Sequence, residues 1–237
     1  MTHVAHPYIQ RIGINRDWRS RWFTNDKQKF REYLRTDAAI RKLLNKKLSG
    51  MSVDAIEIER DEKQLRIIVK TARPGLVIGR SGEGATKLRK DIDMLLRTLK
   101  LAEKPDVKLD IEEIRNPETS ASIVGQMVME GLEKRMPFRR VLKQTVEKVM
   151  ANRDVQGVRI IVSGRLGGAD MARREELKKG RIPLQTLRAD IDFARVRANL
   201  PYGVIGIKVW IYRGEVFADR NAQNTAEAAP RRSSRNS

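Results

Sequence analysis

No cysteine occurs anywhere in the 237 residues. That excludes disulfides, thiolate metal sites and thiol catalysis, and it suits a reducing compartment. His3 and His6 are the only histidines. Both sit near the N-terminus, so neither reads as a general base, and zinc has no ligand set. No apolar run approaches the roughly 20 residues of a membrane span, and residues 1–25 lack a signal-peptide core; no membrane attachment and a cytoplasmic location are the expectations. Acids are also scarce. Thirty Asp and Glu stand against forty-nine Lys and Arg, a net charge of +19. Such an excess attracts a polyanion and predicts salt-dependent binding. Nucleic acid is the leading partner class, with anionic membrane a distant second. No activated nucleophile or metal cage is evident, so no enzyme and no cofactor is expected.

What is present begins with glycine. Val77-Ile78-Gly79-Arg80-Ser81-Gly82-Glu83-Gly84 leads from an apolar pair through Gly-x-x-Gly into an apolar-periodic segment. Gly79 and Gly82 let backbone approach phosphates without a Cβ in the way, with Arg80 and Ser81 between them. A following helix aims its free N–H groups at the same anions. In a strand–strand–loop–helix setting this pattern reads as the RNA-clamping device of KH modules, with a plain structural turn as the alternative. Two nucleotide-binding alternatives fail on chemistry. Gly79 and Gly84 have Walker spacing, but Ala85 stands where the phosphate-binding lysine is needed; a dinucleotide fingerprint from Gly82 needs glycine where Lys87 sits.

Periodicity organises the rest as α+β. Residues 1–16 read as an N-terminal arm, with Arg11 a candidate RNA contact. Trp18, Trp22 and Phe23 interleave with arginines; base stacking is one use, core packing the commoner one. Asn25-Asp26 resemble an N-cap, and Phe30, Tyr33, Leu34, Ile40, Leu44 and Leu48 form a helical stripe with a break expected near Asp37. A hairpin follows, built on Ile56 and Ile58 then Leu65, Ile67 and Val69, turning at residues 61–63. Leu88, Ile92, Leu95, Leu96 and Leu99 mark the helix after the glycine loop; Val107, Leu109 and Ile111 mark a strand. The first RNA-binding domain thus spans 17–114.

Asn116-Pro117-Glu118 reads as a second helix start, opening a second α+β domain over 115–217. It has two helices, the second from Pro137, packed on a mostly antiparallel sheet. Strands follow at Val158, Ile160 and Val162 and at Ile205, Ile207, Val209 and Ile211. Residues 168–197 read as a long charged hairpin turning near Lys179-Gly180. Residues 218–237 read as a disordered basic tail. Over 132–153, seven bases face two acids. Arg139, Arg140 and Lys143 share one side of their helix, which favours a phosphate-tracking surface. Ser163 to Gly168 form a glycine-rich turn around Arg165, read either as a close approach for an RNA backbone or another protein or as a simple strand connection; Arg173, Arg174, Lys178 and Lys179 make the following hairpin basic, and with Arg165 they are candidate rRNA contacts. Asp190 and Asp192 alternate near Arg188 and Arg195, where ion pairing is the expected role.

Several long blocks support a resemblance: Thr71 to Gly79, Met136 to Arg140, Val162 to Ala169, Arg181 to Asp192 and Tyr202 to Ile211. Collinear from about His6 to Phe217, the chain resembles the bacterial family of the third protein of the small ribosomal subunit. The resemblance implies a type II KH domain followed by a C-terminal α+β domain. It implies a place on the head of the small subunit, with small-subunit rRNA, mRNA and the tenth and fourteenth small-subunit proteins as partners and no homo-oligomer of its own. It also implies a role at the channel by which mRNA enters, where Arg139, Arg140 and Lys143 would help separate paired message. The loop interior Arg80-Ser81 departs from relatives that carry two bases there.

Overall fold

Asp26 starts the first long helix, α2 (Lys27–Lys47), its carboxylate accepting from the Gln28 N–H at 2.8 Å. This computed structural model describes residues 6–61, 63–99 and 105–217. His3, Glu62 of the charged turn and the tail 218–237 lie outside the described residues. The expected break at Asp37 does not occur. Its carboxylate is buried, held by Arg60 at 2.9 Å and by the Trp22 indole N–H at 2.8 Å, so it does not compete for helix backbone. Ile40, Leu44 and Leu48 are buried as the stripe requires, but Phe30 and Leu34 remain exposed.

Strands β2 (Val53–Arg60) and β3 (Gln64–Thr71) pair antiparallel, with Ile56 opposite Val69 and Ile58 opposite Ile67. That register sends one apolar face to the helices α2 and α4 (Glu83–Thr98), where Leu88, Ile92 and Leu96 complete the core. A short helix, α3 (Pro74–Ile78), precedes the glycine loop. Pro74 at its start favours this turn. Strand β4 (Asp106–Glu113) lies parallel to β3, and the two-residue β1 (Ser20–Arg21) extends the sheet as β1-β2-β3-β4. From α2 to β4 the order is helix, two strands, two helices, strand. The other sheet face carries a charge lattice. Arg21 meets Glu57 and Glu59, Arg66 meets Glu59 and Asp110, and Lys70 meets Glu57. Its cations are neutralised by neighbouring strands, so this face is a poor phosphate surface.

In the second unit, Asn116-Pro117-Glu118 opens only one 3-10 turn, Pro117–Thr119. The α-helical N-cap is Ser120, whose hydroxyl accepts from the Ile123 N–H. Helices α5 (Ala121–Glu133) and α6 (Phe138–Met150) cover one face of a four-stranded antiparallel sheet, built from β5 (Gly157–Gly164), β6 (Arg173–Gly180), β7 (Ala189–Leu200) and β8 (Gly203–Glu215). Its order is β6-β5-β8-β7.

The expected hairpin across 168–197 is therefore wrong: β6 and β7 occupy opposite edges. The connection between them carries Ile182 and Leu184, which pack against the buried cluster that includes Phe193 and Trp210 on the sheet's second face. Burying those side chains draws the chain across that face instead of back along β6.

The described part of the arm docks there too. Helix α1 (Pro7–Gln10) is followed by Arg11, which is fully buried, and Asn15 donates to the Leu187 and Arg188 carbonyls. Asp190 and Asp192 do form ion pairs, but with Arg16 (2.7 Å to Asp190) and Arg213 (3.1 Å to Asp192) rather than with Arg188 and Arg195. The units meet where α5 touches β2: Gln126 and Ser122 both donate to the Val53 carbonyl, and Ser120 donates to Asp54 at 2.5 Å. Among the described residues, no helix is long and apolar enough to cross a membrane.

Candidate nucleic-acid interface

Two separate surfaces collect the candidate residues. The first is the glycine loop. Gly79 (φ 72°) and Gly82 (φ 80°) occupy the left-handed region that glycine tolerates, and Ser81 (φ 52°) joins them. A non-glycine residue held there marks a loop whose shape the flanking helices impose. Those helices meet backbone to backbone. A Cβ on Gly84 would lie 2.5 Å from the Val77 carbonyl oxygen and 2.8 Å from that of Ile78. Gly84 thus allows α3 to end against the first turn of α4, which presents Arg80 and Ser81 to solvent. Lys87, one turn into α4, is also exposed. Glu83 in that first turn offsets part of the positive field.

The second surface is a cationic ridge formed by α6 and the edge strand β6. Val141, Leu142, Thr145, Val146 and Val149 face the core, which leaves Arg139, Arg140 and Lys143 outward. The fold then sets β6 beside α6. Arg139 lies 3.3 Å from Glu175, and Arg173 lies 3.5 Å from the same carboxylate. Both guanidinium groups sit over the Phe138 ring, at 5.6 and 5.4 Å from its centroid. Lys179 follows Arg173 on this side of β6, whereas strand alternation turns Lys178 and Arg174, which pairs loosely with Glu176 at 3.6 Å, to the opposite face. Among the described residues, Arg140 and Lys143 have no carboxylate within ion-pair distance. They are the cations most available to phosphate.

Two candidates leave this group. Arg11 is fully buried: its guanidinium donates four hydrogen bonds, to the carbonyls of Pro7, Leu184, Thr186 and Ala189 at 2.6–3.0 Å, and no part of it faces solvent. A buried arginine anchoring an arm carries the same one-letter signal as a surface one. Arg165 braces its own loop. It donates to the Ala169 and Tyr202 carbonyls and pairs with Asp170 at 3.3 Å, around backbone turns that Gly164, Gly167 and Gly168 make at positive φ.

The sequence reading missed two residues of the ridge. Neither Phe138 nor Glu175 is among the sequence candidates, yet the half-buried Phe138 ring carries two arginines and Glu175 pairs with both of them. An aromatic directly followed by two arginines at a helix start was the available signal for the first. Nothing in sequence spacing joins Glu175 to Arg139. No group of three or more acids or histidines among the described residues is placed to hold a metal.

Comparison with known proteins adds the context. Residues 39–119 match the KH domain family, and residues 128–211 match the family described as ribosomal protein S3, C-terminal domain. The small ribosomal subunit protein uS3 of Caldicellulosiruptor saccharolyticus is 45% identical over 222 residues, covering 94% of this chain and 96% of the relative. The uS3 protein of Gluconobacter oxydans is 43% identical, covering 98% and 100%. That of Coxiella burnetii is 43% identical, covering 97% and 96%. All three are named as components of the small ribosomal subunit, and none as an enzyme.

Proposed function

The chain belongs to the ribosomal protein S3 family of the small subunit, and from that premise we propose that it holds rRNA and guides mRNA without a reaction of its own. Its place is on the subunit head, beside the tenth and fourteenth small-subunit proteins. The KH unit grips an RNA backbone through Gly79, Arg80, Ser81 and Gly82. The C-terminal unit lines the channel by which mRNA enters, with Arg139, Arg140 and Lys143 facing the message. Arg173 and Lys179 extend the same surface toward rRNA, and Arg174 and Lys178 offer charge to rRNA from the other face of the β6 edge.

One observation carries the reading. Fixed cations stand on the outer side of α6, and the residues behind them are fully committed to the core. Such a row binds a phosphate backbone irrespective of sequence, as a guide for every message must. Translocation supplies the force; the ridge holds separated strands by lowering their mutual repulsion.

The test is the triple substitution Arg139→Ala, Arg140→Ala and Lys143→Ala. Subunits should assemble normally, because the inward face of α6 is unchanged. Translation through stable mRNA hairpins should slow several-fold in a time-resolved assay, while unstructured messages are read at the usual rate. Equal progress through hairpins would exclude the assignment.

A further inference from the structure

We propose that the exposed face of α2 is a docking surface for an acidic amphipathic helix of a partner protein. The proposal stands apart from the reading of this chain as RNA-binding, and it uses none of the residues of the glycine loop or the α6–β6 ridge.

The first half of α2 projects beyond its own core. From Thr36 onward the helix is anchored by buried side chains at Asp37, Ile40 and Leu44. Before that, from Lys27 to Arg35, every residue except Tyr33 is exposed. Two of them are large and apolar: Phe30 is 48% exposed and Leu34 is 56% exposed. One such side chain needs no explanation. Here Phe30, Leu34 and the exposed Ala38 follow one another at i, i+4 and i+8, so they form a single ridge along the helix. The Phe30 ring rests edge-on against Trp22 at 5.4 Å, and the Trp22 indole is tied to Asp37. That end of the ridge is fixed before any partner arrives, which lowers the entropy cost of docking.

A second ridge runs beside the first. Lys27, Arg31 and Arg35 each lie three residues before one of the apolar side chains, and Lys42, seven residues after Arg35, keeps to the same side. All four cations are exposed. Among the described residues, none of them has a carboxylate within ion-pair distance. Glu32 is two residues from Leu34, which turns it to the opposite side of the helix. The contrast with the sheet of the same unit is sharp, since Arg21, Arg66 and Lys70 there are neutralised by acids on adjacent strands.

The two ridges define the occupant. Side-chain rows at four-residue spacing are the surface against which a second helix packs, and apolar residues three or four apart are its anchors. Unpaired cations along one border select a helix whose apolar stripe is flanked by Asp and Glu. A phosphate strand needs only the cations and gives Leu34 and Ala38 nothing apolar to pack on. A lipid surface needs a broad apolar face, and the broad apolar face of α2 is spent on the core. A second copy of this chain brings the same cations and is repelled.

The experiment replaces Leu34 in the full-length chain with the photocrosslinker p-benzoylphenylalanine and irradiates growing cells. Leu34 lies outside the core, so the purified protein should keep the unaltered thermal midpoint. If the midpoint falls, the same readings are taken with the probe at Ala38. Mass spectrometry should place the adduct on a protein segment with apolar residues three or four apart and Asp or Glu beside them. Arg31→Glu combined with Arg35→Glu should cut the adduct yield about tenfold or more, and exchanging the facing acids of the partner for Lys should restore it. Adducts with RNA alone or lipid alone, an adduct on a segment without acids, a yield indifferent to the charge reversal, or no adduct at either position would each overturn the proposal.

Discussion

A guanidinium buried completely among carbonyl oxygens has nothing to offer a phosphate, whatever the net charge of its chain. Arg11 is in that position. It joins the end of α1 to the connection that crosses the second sheet face, through carbonyls at Leu184, Thr186 and Ala189. Burial lowers its pKa from the usual arginine value, with Asp190 acting in the opposite direction, but the group stays charged at any relevant pH. Replacing it by Ala leaves several buried carbonyls unpaired and opens a void. Arg11→Ala should therefore lose about 2–4 kcal/mol of stability, read as a lower denaturant midpoint. RNA affinity measured well below the melting temperature should not change. An equal loss of affinity would return Arg11 to the RNA surface.

At the scale of elements, the glycine loop depends on how two helices abut. Gly84 permits the contact between the end of α3 and the start of α4, where an added Cβ would meet backbone oxygens that cannot rotate away. Gly84→Ala should destabilise the protein by about 1–3 kcal/mol and weaken RNA binding by displacing Arg80 and Ser81, as titration with a short single-stranded oligomer would show. Unchanged binding and stability would mean that the helices move apart freely. Most elements were legible because their periods are clean. The 3.6-residue spacing located α2, α4, α5 and α6, and strict alternation located β2, β3, β5 and β8. Three features resisted for physical reasons. Helix α3 is too short to show a period. The N-cap of α5 is Ser120 rather than Asn116, because a 3-10 turn intervenes. β6 and β7 were joined into one hairpin because alternation reveals a strand but not its partner.

For the molecule as a whole, the junction between the two units carries a pH-sensitive carboxyl. Asp54 on β2 is mostly buried beside Ser120 of the second unit. Desolvation, then the nearby Asp192 carboxylate, raises its pKa; the Ser120 hydroxyl, Arg19 and Arg213 oppose the shift. A carboxyl whose folded pKa is raised binds its proton more tightly in the folded state. Its contribution to stability is complete below the unfolded value near 3.8 and is lost as pH rises through the folded value. At neutral pH Asp54 is thus a cost. Asp54→Asn keeps an acceptor for Ser120 without the charge, so it should raise the thermal midpoint at pH 7 and flatten the stability profile just above pH 4. A lower midpoint at pH 7 would mean that the arginines outweigh the buried charge.

Composition and pattern alone settle that this is a cysteine-free, strongly cationic α+β chain with a Gly-x-x-Gly loop, because net charge, residue chemistry and helical or strand period are local properties. Which cations remain free for RNA is not local. The fold spends Arg11 on its own backbone, neutralises Arg21 and Arg66 with carboxylates on adjacent strands, and gathers Arg139 and Arg173 from distant segments over one phenylalanine. Only the three-dimensional path of the chain brings those groups within hydrogen-bond or ring-contact range, where the choice between structural and RNA-facing roles is made.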